Sequence, residues 1–208
     1  MRRIIRRIIA TAGIVIVLIV AGVAAVIYTG TYDVAADRPS WGPVAWAVNQ
    51  ARMRSVHAQA ADISVPDGLD DQAKIAEGAG HFAQHCAGCH GAPGMKRSDI
   101  VAGLNPRSPS LTMIAKSYTP AELFWITKHG IKLSGMPAWI DHSDGDVWAI
   151  VAFLQKLPGM KPQEFAGLIA AGRAKREQQQ QEAEPATGSA QQPVSPTPQP
   201  RTAGKRRH

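Results

Sequence analysis

The sequence predicts an all-α protein: a membrane-length apolar helix, a small helical domain, and a polar tail. Three observations predict it. Twenty-one residues from Ile8 to Tyr28 carry no charge. Two capping boxes, Thr119-Pro120-Ala121-Glu122 and Ser143-Asp144-Gly145-Asp146, each open an apolar run with helical spacing. The last stretch, Pro185 to His208, is mostly Pro, Gln, Ser and Thr with a basic end and lacks apolar residues to fold on. Period-two alternation, the mark of strands, is nearly absent.

The apolar run comes first. At a rise of about 1.5 Å per residue, Ile8 to Tyr28 spans roughly 30 Å, the thickness of a bilayer's hydrocarbon. Arg2, Arg3, Arg6 and Arg7 precede it, and Asp33 and Asp37 follow. The positive-inside rule keeps residues 1–7 in the cytoplasm and sends the rest outside. Tyr28, Tyr32, Trp41 and Trp46 suit an interfacial aromatic belt. A cleaved signal peptide is the competing reading, but the run exceeds an ordinary h-region and no A-x-A falls just past its end. Both readings place the remaining chain outside the cytoplasm.

Residues 29–71 read as a juxtamembrane segment and linker. Pro43 through Val56 suits a short helix, lying on the membrane, propping up the domain, or serving as a loose spacer. The folded domain is expected over residues 72–160. Its first helix holds Ile75, Ala79, Phe82 and Ala83 from Gln72 to Gln84. A long polar loop then runs from Gly91 to about Ser117. Pro120 opens a helix that reaches His129 and stops at Gly130. The last helix carries Val147, Trp148, Ile150, Val151 and Leu154 and ends before Pro158. Residues 161–208 read as a polar helix, through Ala183, and a disordered, solvated tail.

Charge excludes little but directs attention. The net charge is +7, yet residues 72–160 hold eight Lys+Arg against six Asp+Glu. The basic surplus therefore sits in the flanks, and no nucleic-acid partner is implied.

Only two cysteines occur, in Cys86-Ala87-Gly88-Cys89-His90. C-x-x-C-H is the attachment signature of c-type haem. Side chains three apart on a helical turn share a face, about 5–6 Å apart at Cβ. Two such thiols can reach the two vinyl groups of one porphyrin, and His90 can turn its imidazole to the iron. Structural zinc would want four ligands. A thioredoxin-like pair should follow a strand and open a helix, whereas this pair ends one. One covalent haem c, held through Cys86 and Cys89, is expected. A helical domain of about ninety residues also gains from such a group, because its own core is small.

From these residues the chain resembles the class I monohaem c-type cytochromes, in their membrane-anchored bacterial form, over about Gln72 to Pro158. Gly78 and Phe82 match the family's first-helix pattern, and Trp148 and Phe153 match its last-helix aromatics. The resemblance implies a cytochrome c-like haem domain of three to four helices. It also implies that Met136, in Gly135-Met136-Pro137, is the sixth iron ligand, with Met95, Met113 and four histidines as rivals. His81, His85, His129 and His142 read instead as surface residues. The proximal imidazole needs an acceptor for its other N–H. The family pattern assigns this to a proline carbonyl, here Pro109, with Pro106 as rival. Trp125 and Trp139 are candidates for packing on the haem or for core positions.

The expected function is electron transfer by a haem with His90/Met136 ligation, without a substrate site of its own. The expected place is the bacterial inner membrane, with the haem domain in the periplasm. The expected partners are a redox donor and acceptor. A relay subunit of a respiratory dehydrogenase or oxidase complex, and a gas-binding sensor, are the alternatives.

Overall fold

Three aromatic rings fix the centre of the fold: Phe82, Phe153 and Phe165, each on a different helix and each fully buried. Their centroids lie 5.0, 5.6 and 6.4 Å apart. Burying a ring of this size stabilises by about 1.5–3 kcal/mol. The computed structural model describes residues 1–183, and every regular element among them is helical. The expected disordered tail, 185–208, lies outside the described residues.

The first helix, α1, spans Arg2–Thr29 and has no buried residue. It is the single described helix long and apolar enough to cross a membrane, with a mean hydropathy of 2.8 over its most apolar 18 residues. Gly30, at φ 65°, ends it in the left-handed conformation.

Helix α2 covers Gly42–Ala60, longer at both ends than the segment expected from the sequence, and buries Val56 and Ala60. It packs beside α6 (Pro120–His129) rather than standing off as a spacer. His57 Nδ1 lies 3.2 Å from Glu122 Oε1, and the Tyr118 hydroxyl donates to Met53 Sδ at 3.6 Å.

Helix α3 (Gln72–His85) begins at Asp71, whose side chain accepts from the Ala73 amide. It crosses α7 (Asp144–Lys156) closely. A Cβ added at Gly78 would stand 1.8 Å from the carbonyl oxygen of Ala149. Only a residue without a side chain fits that crossing. Both capping boxes form as their sequences predict, Thr119 with Glu122 and Ser143 with Asp146. Lys128 pairs with Asp144 and ties the end of α6 to the start of α7.

Helix α8 (Pro162–Ala183) lies along the other side of α3. A Cβ at Gly172 would come within 2.4 Å of Ala76 O. The packed core therefore continues beyond residue 160 to Phe165, with Leu168 and Ile169 against it. The loop expected at 91–117 also contains structure. It includes a 3₁₀ turn at Asp99–Gly103, helix α5 at Leu111–Ile114 and a second 3₁₀ turn at Ala115–Ser117. Val101 and Ala115 are buried and pin it down.

Candidate functional site

After α3 the chain turns at Cys86 into a single helical turn, α4 (Ala87–His90). The amides of Cys89 and His90 both bond to the Cys86 carbonyl, at 3.1 and 2.9 Å. The turn places Cys86, Cys89 and His90 on the wall of one cavity of about 340 Å³. That volume lies in the range of cofactor and ligand pockets. Pro109 and Met136 line the same cavity. Residues far apart in sequence thus converge on one space.

The turn is braced from the loop that follows. The Ser98 amide donates to Gly88 O at 2.8 Å, Ser108 Oγ donates to Cys89 O, and Arg97 donates to Ser108 O at 3.0 Å. His90 Nδ1 donates to the carbonyl of Pro109 at 2.9 Å. A carbonyl can only accept, so this contact puts the ring's proton on Nδ1 and leaves Nε2 with its lone pair. Burial pushes the His90 pKa down; the bond to Pro109 opposes this and the charge of Arg97 adds to it. A neutral imidazole with a free Nε2 is the metal-ligating form.

Burial first, and the neighbouring Cys89 second, push the Cys86 thiol up to about 12. Its sulfur is therefore uncharged near neutral pH. This suits a thioether bond within an apolar wall better than thiolate chemistry.

The loop that brings Met136 to the cavity is braced by its own hydrogen bonds. Ser134 Oγ donates to Ile131 O at 2.7 Å and accepts from the Met136 amide at 3.2 Å. The Ile131 amide returns to Met136 O at 3.2 Å. Gly130 lets this loop lie on the end of α6, since a Cβ there would come within 2.5 Å of Pro137. Met95 and Met113 are exposed and do not line the cavity. Met53, on α2, does line it, and its sulfur accepts from Tyr118.

The sequence reading missed α2's contribution: Asn49, Arg52, Met53 and Val56 all face the cavity. Arg52 Nε is buried and has no hydrogen-bond partner. A buried N–H without an acceptor is costly, and a carboxylate in the cavity would satisfy it. No motif marks Arg52, because its role depends on α2 folding back on α6.

Three histidine expectations also need correction. His81, His85 and His142, read as surface residues, are half-buried and gather on one side of α3 and α7. His129 is exposed, as expected, beside Trp125. His85 and Trp139 line the cavity rim, whereas Trp125 does not line it.

The residues present fit a haem. The cavity offers two sulfurs one helical turn apart, a neutral buried imidazole, a thioether on a braced loop, and a buried Arg52 Nε without a partner for an acidic edge group.

Comparison with known families agrees with that chemistry. Residues 73–154 match the family model described as "Cytochrome C oxidase, cbb3-type, subunit III". No curated protein and no solved structure matches the chain significantly. Helices, C-x-x-C-H turn and family match together show that this chain carries a class I c-type cytochrome domain, whose business is haem-based electron transfer.

Proposed function

We propose that the protein is a membrane-anchored electron carrier whose single haem c is bound by Cys86 and Cys89 and ligated by His90 and Met136. The observation that carries this reading is the shared cavity of those four residues, with His90 Nε2 freed by the bond to Pro109. When bound, the haem supplies a one-electron couple whose potential depends on axial ligands, burial and nearby charge. The residues of the chain do the rest. Pro109 orients the His90 imidazole. The Ser134 and Ile131 hydrogen bonds hold Met136 at the cavity wall. Arg52 supplies positive charge for a propionate from outside the family-matched segment. With both axial positions filled, no site remains for a substrate.

Helix α1 holds the carrier to the inner membrane with its haem domain in the periplasm, by the arginine bias of residues 1–7. Confinement to the membrane plane raises its effective concentration near membrane-bound donors and acceptors. The oxidase subunit named by the family model favours a second reading, a relay station within such a complex. Purification in mild detergent separates the two: a stoichiometric enzyme co-purifies with a relay subunit, and a carrier is recovered alone.

A carbon monoxide difference spectrum of the reduced, haem-matured protein tests the ligation. No change is expected for a closed His90/Met136 site. A clear change would show an open sixth position and favour gas binding.

A further inference from the structure

We propose that His81, His85 and His142 form a second metal site, for one divalent late first-row transition-metal ion of the zinc or copper class. His81 and His85 stand at i and i+4 on α3, so they project from one face of the helix. His142 comes from the loop just before α7 and closes the third side. One ring nitrogen from each lies within 4.8 Å of the others. Three nitrogens on a tetrahedral zinc stand about 3.3 Å apart, given bonds of about 2.0–2.1 Å. Rotations of half-buried side chains cover that difference.

The surroundings match a cation. His81 Nε2 lies 3.5 Å from Asp146 Oδ1, the carboxylate–histidine pairing that steadies metal-bound imidazoles. Glu77 adds a second carboxylate within 4.8 Å of the His81 and Asp146 ligand atoms. Trp139, 5.2 Å from both His85 and His142, covers one flank. Imidazole donors with a carboxylate behind them select zinc, copper or nickel over magnesium or calcium.

The site touches the cytochrome's own cavity through His85, which lines it. A dication held there disfavours the more positive, oxidised state of the haem. Occupancy would raise the reduction potential and couple electron transfer to metal supply.

Calorimetric titration of the haem-matured full chain in detergent with zinc chloride tests the site. One saturable equivalent is expected, with affinity at least about tenfold weaker in both His81→Asn and His142→Asn. Neither residue lines the haem cavity. Absence of saturable binding, or a smaller loss in both variants, overturns the proposal. Zinc-edge X-ray absorption on the wild-type complex decides without any variant. Three imidazole nitrogens are expected, and a shell of carboxylate and water oxygens alone overturns it.

Discussion

His90 donates its Nδ1 proton to the backbone carbonyl of Pro109, nineteen residues away, at 2.9 Å. The bond fixes a tautomer, and through it the direction in which Nε2 faces the cavity. Because the acceptor is backbone, its position depends on the loop: Arg97 on Ser108 O, and Ser108 on Cys89 O. Replacing Ser108 with Ala should loosen that brace while leaving both partners of the His90 bond in place. We expect a measurable shift in the reduction potential with covalent haem retained. A potential equal to wild type would show that the carbonyl is held without Ser108.

Loss of Met136 tests the sixth ligand. Met136→Ala should keep covalent haem and lower the reduction potential, because a thioether ligand favours the reduced iron. Met53→Leu, at the other cavity methionine, should leave the potential near wild type. The reverse pattern in redox titrations would assign the ligand to α2.

Replacing both Cys86 and Cys89 with Ala should abolish covalent haem. A denaturing gel stained for haem peroxidase activity reads this directly. Haem retained on the chain would contradict attachment at the C-x-x-C-H turn.

Arg52 is testable by charge alone. Arg52→Gln removes a cation from the cavity wall, which disfavours the reduced state, so the potential should fall. An unchanged potential would place the guanidinium away from the haem's acidic groups.

The α6 cap predicts a pH dependence. Hydrogen bonding from the Thr119 backbone, chiefly, holds the Glu122 carboxyl below its ordinary range; burial opposes this, and contacts with His57 and the Thr119 side chain assist. A carboxyl depressed in the folded state stabilises above its unfolded pKa of about 4.3, and that contribution is lost as pH falls through the folded value. Glu122→Gln should therefore flatten the acid side of the stability curve. Thr119→Ala should cost roughly 0.5–2 kcal/mol near neutral pH. Denaturant unfolding across pH 3–7, about the range set by those carboxyl values, checks both.

Gly78 predicts a packing effect. Any side chain there meets Ala149 O on α7. Gly78→Val should destabilise by about 1–3 kcal/mol or more, since the collision is with backbone that cannot rotate away. Thermal unfolding measures it.

Some of this protein was determined by sequence alone, because local chemistry sufficed. A capping box needs only its own four residues, so both α6 and α7 began where Thr119 and Ser143 stand. The charge-free run of α1 needs no partner to be recognised. The C-x-x-C-H turn needs only one helical turn to bring its cysteines and His90 to one wall. Tertiary structure decided what depended on distant elements. It put α2 on α6 and so brought Arg52 and Met53 to the cavity. It carried the core past residue 160 to Phe165, a lone aromatic in a polar-looking helix. It also gathered His81, His85 and His142. His81 and His85 share a face of α3, but only the approach of α7 to α3 brings His142 to them.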